Sequence, residues 1–423
     1  MIKLQSGTAL SPLQQYAIIT ANNWSFTITD GALRMLVVFH FLQLGYTTLE
    51  IAFLFIFYEF FGILTNLYGG WLGAQFGLRL TLWVGTLLQI AALLLLVPVA
   101  ASWPKLLSVV WVMVAQAISG IAKDLEKMSA KSAIRVVVPE TPADHLKGEQ
   151  QLFRWVAILT GAKNALKGLG FFVGGLLLTT VGFNVAVLLL AGWLCLAFFI
   201  TLLLPKEIGK MKQKPAFKAL LSKSEGINVL SLARFFLFGA RDVWFVVALP
   251  VFLGQALGWQ FWEVGGFLGL WVIGYGIIQG SAPSLRRAWG SDRPPGPSAV
   301  QFWAAILTAI PALIAISLWR DVGNPGIAVV VGLAVFGVVF AMNSSIHSYM
   351  ILAYTEAEDV SLNVGFYYMA NAAGRLLGTL LSGALFLVGG LQACLWASAL
   401  LVGLAYLSGR RLPTPPRQLA AAA

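Results

Sequence analysis

The sequence predicts an all-α integral membrane protein, with twelve transmembrane helices in two pseudo-symmetric six-helix halves. Three observations carry this. Only 11% of the 423 residues are charged while 59% are hydrophobic, at a mean hydropathy of +0.82. The apolar runs are about 20 residues long, the length a helix needs to cross a hydrocarbon core of ~30 Å. Lys and Arg, finally, are shared very unequally between alternate loops.

The composition excludes a soluble globule, which needs more charge than this to cover its surface. The 43 glycines suit helices that approach closely in lipid. Cys195 and Cys394 stand singly in apolar runs, so neither a disulfide framework nor a metal site is expected. "MIKLQSGTALSPLQQY" lacks the basic start and small-residue cleavage site of a secretory signal, so no cleaved peptide is expected. No nucleotide loop, metal cluster or nucleophile triad is visible, so the sequence reads as a non-enzyme without a cofactor.

Apolar runs between turn signals give spans at about 16–43, 48–73, 80–101, 106–131, 151–179, 184–204, 227–253, 262–283, 299–319, 327–352, 361–388 and 391–408. With the N-terminus inside, the inner segments hold Lys3, Arg79, Lys147, six lysines from Lys206 to Lys223, Arg286, Arg287, Arg293, Arg410, Arg411 and Arg417. The outer segments hold Lys105 and Arg320 alone. This bias predicts a multi-pass protein of the cell inner membrane with both termini cytoplasmic. The formal charge of +11 then reflects orientation in the bilayer, and no nucleic-acid partner is expected.

The basic stretch "PKEIGKMKQKPAFKALLSKSEG" at 205–226 divides the chain into an N-terminal half, 1–204, and a C-terminal half with its tail, 227–423. A repeat supports the division: "LGYTTLEIAF" at 44–53 matches "LGWQFWEVGG" at 257–266 in Leu-Gly-aromatic, then Glu, then a β-branched residue. Both follow the first span of their half. Parallel halves of this kind place a site at the membrane midplane, between them.

The signal for function is charge inside the membrane. In "ILTGAKNALKGLGFFVGG" (158–175), only about 13 helical residues separate Lys167 from the next turn, too few to cross alone. The helix must start near Trp155, which sets Lys163 and Lys167 ~12 and ~18 Å into it, around the midplane. Four residues apart, they share a face. Each costs at least ~2.5–3.5 kcal/mol there unless it meets a partner or water. The other deep cations are Arg34, Arg241 and Arg375; the deep acids are Asp30, Glu59 and Asp242. Asp30 and Arg34 stand one turn apart and can pair, and the adjacent Arg241 and Asp242 could each find a partner across the halves. Glu59 is then left for both lysines and Arg375. Either the lysines are neutralised by neighbouring spans, or a water-filled cavity holds surplus positive charge for an anion. The second reading makes all five cations substrate-binding candidates, with Asp30, Glu59 and Asp242 as ion-pair or gate residues.

Further along, Lys123, Lys127, Lys131 and Arg135 form a stripe at the inner end of the fourth span. Lys131 and Arg135 are expected to snorkel at the surface. Lys123 and Lys127 either do the same or line the cavity entrance, recruiting anions from the cytoplasm. Asn22, Tyr367 and Asn371 join the candidate lining if their helices face inward; His347 reads as a packing histidine.

"GWLGAQFGLR" (70–79) resembles the major facilitator signature Gly-x-Leu-x-Asp-x-x-Gly-Arg-Arg at Gly70, Leu72, Gly77 and Arg79, with Ala74 in place of the Asp and Leu78 in place of the first Arg. The resemblance implies the major facilitator fold, without the usual charge latch of that Asp. Five longer strings, "LSPLQQY" (10–16), "TDGALRML" (29–36), "FYEFFGILTNLYGGWLG" (57–73), "KDLEKMSAKSAI" (123–134) and "WVAILTGAKNALKGLGFF" (155–172), together resemble the organoarsenical efflux permeases of arsenic-resistance operons, the ArsJ family. That resemblance implies export of 1-arseno-3-phosphoglycerate, arsenate resistance, and a functional link to the glyceraldehyde-3-phosphate dehydrogenase that makes the ester. Carriers of other organic phosphates or carboxylates, and a non-transporting assembly factor of the same fold, are the alternatives.

Overall fold

The computed structural model describes residues 10–46, 54–100, 102–133, 145–205, 224–246, 248–259, 261–291, 293–321, 323–356 and 359–415. Among these, twelve long helical segments follow one another, and the fold is all-helical. They are α1 (Pro12–Gln43), α2 (Ile56–Phe76), α3 (Leu78–Leu96), α4 (Lys105–Ser132), α5 (145–181) and α6 (183–201), then α7 (Glu225–Phe245), α8 (Phe261–Ala288), α9 (Pro297–Trp319), α10 (Pro325–Ala353), α11 (360–388) and α12 (391–409). Short α and π turns, Ala248–Val251 and Phe252–Ala256, extend α7. The shortest helices, α3, α6 and α12, have 19 residues and reach ~28 Å at 1.5 Å per residue. Residues 206–223 of the basic stretch, Arg135, and the side chain of Lys131 lie outside the described residues.

The two halves use the same local devices. α1 ends at Gly45 (φ 81°) and the α7 segment at Gly258 (φ 69°), left-handed positions where a side chain would be strained. These glycines are the second residues of the two repeat strings, so what repeats is a helix-ending turn. Residues 47–53 of the first string lie outside the described residues. Gly182 (φ 76°) likewise breaks α5 from α6, and Gly390 (φ 61°) breaks α11 from α12. Within each half the first and fifth helices meet through glycine: Gly170 and Gly174 against the α1 backbone at Ile28 and Ala32, and Gly374 against Phe235 of α7. Backbones can approach this closely only where no Cβ intervenes.

Three apolar clusters locate the opening. One belongs to the N-terminal half (Leu36, Phe41, Leu93, Val112, Phe183) and one to the C-terminal half (Trp244, Trp271, Leu333, Phe336, Leu395). The third straddles both, joining Tyr16, Leu125 and Phe153 to Met342, Tyr349 and Tyr354. Its residues lie at the ends of α1, α4, α5 and α10 that share a side with the chain termini. The halves are therefore sealed together at the terminus-bearing end and separate toward the other. Tyr349 Oη donates to Glu149 Oε2 at 2.6 Å within that seal.

Across the halves, α5 crosses α8 where Gly161 faces Gly276 and Gly280, backbone against backbone. A Cβ at 161 would collide with main-chain atoms of α8, which cannot yield as a side chain does. Gly161→Leu is expected to wedge the halves apart. Transport should fall to background while the protein still reaches the membrane, as measured by uptake into vesicles against immunoblotted amount.

Candidate functional site

A cavity of about 410 Å³ lies between the halves and is lined by both. That is within the range of small-molecule sites and, on volume, holds roughly a dozen waters. α1 contributes Asn23, Thr27, Asp30 and Arg34; α4, Lys123, Asp124 and Lys127; α5, Lys163, Asn164 and Lys167. From the other half come Arg234, Arg241 and Asp242 on α7, Tyr275 on α8, and Tyr368, Asn371 and Arg375 on α11. It extends along α1 from Asn23 to Phe39 and reaches Val246 and Pro250 beyond α7, toward the end opposite the termini.

One-turn spacing gathers the charges. Lys163 and Lys167 share a face of α5, Lys123 and Lys127 a face of α4, and Asp30 and Arg34 a face of α1. Glu59 of α2 collects three cations: Arg375 at 2.5 Å from the opposite half, Arg34 at 3.5 Å and Lys123 at 3.8 Å. Asp242 holds Arg241 at 2.5 Å and Arg375 at 3.1 Å. Asp124 holds Lys127 at 2.5 Å and Lys123 at 3.7 Å. Asp30 accepts from Tyr58 Oη at 2.6 Å and pairs with Lys167 at 3.4 Å. Aromatic faces share the work of desolvation: Lys123 sits 3.8 Å from the Tyr58 ring centre, and Lys127 4.1 Å from that of Tyr368, across the halves.

Several expectations change. Asp30 and Arg34 do not pair with each other, because Tyr58 and Lys167 occupy the Asp30 carboxylate and Arg34 turns to Glu59. Arg241 and Asp242 do not reach across the halves; they bond to each other. Lys123 and Lys127 line the cavity rather than snorkel, since α4 continues as one helix to Ser132 and brings Asp124 in with them. Asn22 and Tyr367 do not line the cavity. Asn22 Nδ2 donates to Thr86 Oγ1 at 3.0 Å and Glu126 Oε1 at 3.1 Å, between helices of its own half. Tyr367 is fully buried, with the Arg234 guanidinium 5.1 Å from its ring centre. Glu59 stands behind the lining cations and meets them from α2. His347 is buried at 1% exposure and packs on α10.

The sequence reading missed Arg234, Asp124 and Glu126. Arg234 was legible, because it precedes Arg241 by seven residues and so shares its face of α7. Asp124 lies between Lys123 and Lys127, three residues from the latter, and goes wherever they go, into the cavity wall. Glu126, wholly buried and bonded to Asn22, gave no signal beyond its place in the same string. Arg79 of the signature loop donates to the Leu202 carbonyl at 3.1 Å and lies 4.1 Å from the Trp83 ring centre. It thus closes the end of α6 within its own half.

Two six-helix halves around a lined midplane cavity define a membrane transporter that exposes its site by moving one half against the other. The sequence matches the Major Facilitator Superfamily over residues 7–300, and the chain belongs to that family. Solved structures share its fold at low identity. A bacterial homologue of the iron transporter ferroportin, in an outward-facing state, is similar at TM-score 0.73 and 16% identity, over 94% of this chain and 99% of the other. The proton:xylose symporter XylE bound to 6-bromo-6-deoxy-D-glucose is similar at 0.70 and 14%, over 97% and 98%. The human organic anion transporter MFSD10 (TETRAN) is similar at 0.67 and 16%, over 93% and 97%. No curated protein matches the sequence.

Proposed function

We propose that this protein exports a small organic anion across the cell inner membrane, that its substrate is 1-arseno-3-phosphoglycerate, and that it thereby confers arsenate resistance. One observation supports the anion above all: eight cationic side chains line the cavity against three carboxylates. Around an oxyanion brought out of water, charge-assisted bonds must replace hydration. Lysines supply point charges for this, and arginines a two-pronged grip. The resemblance of the strings at 10–16, 29–36, 57–73, 123–134 and 155–172 to organoarsenical permeases supports the particular ester, which carries an oxyanion at each end and no positive group. A dedicated glyceraldehyde-3-phosphate dehydrogenase would supply it.

In this reading the basic stretch 205–226 joins the halves on the cytoplasmic face, and both termini lie there. The cavity then opens outward, and the seal around Tyr349 and Phe153 parts when the carrier turns inward to load. Asp30, Glu59 and Asp242 hold the surplus cations apart, and the Glu59–Arg375 bridge ties the halves while the carrier stands in this state.

The test is arsenate resistance in sensitive cells carrying the permease, the dehydrogenase, or both. Protection that needs both supports the ester; protection by the permease alone assigns another substrate, such as an ordinary organic phosphate or carboxylate. Moving an anion outward across an inside-negative membrane releases about 2.3 kcal/mol per charge per 100 mV. Export against a substrate gradient is therefore expected to stop when the potential is clamped to zero and to continue when the pH gradient alone is dissipated. The opposite pattern would assign the driving force to protons.

A further inference from the structure

The charge surplus in the cavity is not spread evenly. Six of the eight lining cations already have a carboxylate: Arg34, Lys123, Lys127, Lys167, Arg241 and Arg375, on Glu59, Asp124, Asp30 and Asp242. Among the described residues, the remaining two form no ion pair. They are Lys163 on α5 and Arg234 on α7, one from each half.

Arg234 is 3% exposed, yet everything that holds it is neutral. Its Nε donates to Asn371 Oδ1 at 3.2 Å, its Nη1 to Ser344 Oγ at 3.0 Å and to the Ser344 carbonyl at 3.4 Å, and its flat face packs 3.8 Å from the Phe238 ring centre. These contacts fix the guanidinium without cancelling its charge. Removing a buried cation from water without a counter-ion is costly, and a carrier tolerates it where a ligand supplies the missing charge.

The two cations are tied into one polar track. Tyr275 Oη and Gln279 Nε2 reach Ser344 Oγ at 3.1 and 3.2 Å, and Gln279 Oε1 accepts from Asn164 Nδ2 at 2.6 Å. Asn164 is the residue after Lys163. A run of neutral groups suited to hydroxyls thus connects the turn bearing Lys163 with Arg234, across the halves. Asp124 and Glu126 lie within the electrostatic reach of Lys163, but Asp124 is taken by Lys127 and Lys123 and Glu126 is bonded to Asn22, and neither makes an ion pair with it.

We propose that Lys163 and Arg234 are the two poles of the binding site, and that the ligand is a short hydroxylated molecule with an oxyanion at each end, one held by each half. This rests on the reading of the cavity as an anion site and deepens it. The six paired cations shape the field; these two touch the ligand. A ligand with one acidic end leaves one pole bare, so the site selects for length and for two charges.

The test is binding to purified protein in nanodiscs at constant ionic strength, by calorimetry. The ligands are 3-phosphoglycerate, which has two acidic ends, and glycerol 3-phosphate and inorganic phosphate, which have one. The wild type should bind 3-phosphoglycerate at least about tenfold more tightly than either of the others. Arg234→Gln and Lys163→Gln should each erase that preference, bringing 3-phosphoglycerate down to the level of glycerol 3-phosphate, and Arg234→Lys should restore part of it. Equal binding of all three ligands by the wild type overturns the two-pole site while leaving the anion reading intact. So does an unchanged preference in Arg234→Gln. Absence of binding by any of the three to folded wild type overturns both. If Arg234→Gln does not fold, the wild-type ligand series and Arg234→Lys decide the matter.

Discussion

Lys163→Met is expected to reach the membrane in wild-type amount and to lose transport by roughly 30-fold or more, the equivalent of about 2 kcal/mol of charge-assisted bonding to the substrate. The two effects separate because of how Lys163 is held. It makes no ion pair among the described residues, so its removal strands no carboxylate, and the Met chain fills the space of the lysine stem. Thermal stability should stay level or rise, since an unpaired ammonium near the midplane is itself a cost. Lys167→Met is the contrasting case. It leaves Asp30 without an ion pair among the described residues, held by the Tyr58 hydroxyl, and should lower stability as well as transport. Transport by Lys163→Met at the wild-type rate, at matched expression, would remove the ammonium from the site.

Glu59→Gln is expected to produce the largest loss of stability of any single change in the cavity wall. Three cations from α1, α4 and α11 converge on this one carboxylate. Without its charge, Arg375 keeps Asp242 and Lys123 keeps Asp124, but Arg34 is left with no ion pair among the described residues, only the faces of Phe55 and Tyr58, each 5.0 Å away, and the more distant field of Asp30. Breaking a buried ion pair from one side costs on the order of 3–5 kcal/mol, because the other side stays charged. The Tm of the detergent-purified protein should therefore fall by several degrees, and membrane yield with it. Glu59→Gln combined with Arg34→Gln should recover part of the loss, because the second change removes the stranded charge. A double variant no more stable than Glu59→Gln would show that Arg34 draws nothing from this bridge.

The fold was legible because lipid imposes it. Spans of 20 apolar residues, the Leu-Gly breaks and the alternating Lys and Arg content follow from the thickness and polarity of the bilayer, and each can be read locally. The fourth span, expected over 106–131, is α4 at Lys105–Ser132, and packing decides what its inner end does: it stays buried to Glu126 and beyond because α2 and α3 cover it. The site was legible in its cations and much less in their pairing. That Lys163 and Lys167 lie deep follows from counting residues. That Lys167 takes Asp30 while Lys163 takes nothing depends on the angle between α1 and α5, which Gly31 and Gly170 set by letting the backbones touch. The preference of Asp30 for a helix-5 lysine over its own neighbour Arg34 is likewise a property of the bundle, invisible along one helix. Arg234 is absent from the cations named above, although its spacing to Arg241 puts the two on one face of α7.

The most direct measurement is the charge moved when ligand enters the site, recorded as a transient current from proteoliposomes on a solid-supported membrane on addition of 3-phosphoglycerate. A saturable displacement of negative charge into the protein, absent in Lys163→Met, is the predicted result. A folded wild-type protein that gives no displacement, or one of positive sign, would contradict a cavity built with surplus positive charge for an anion.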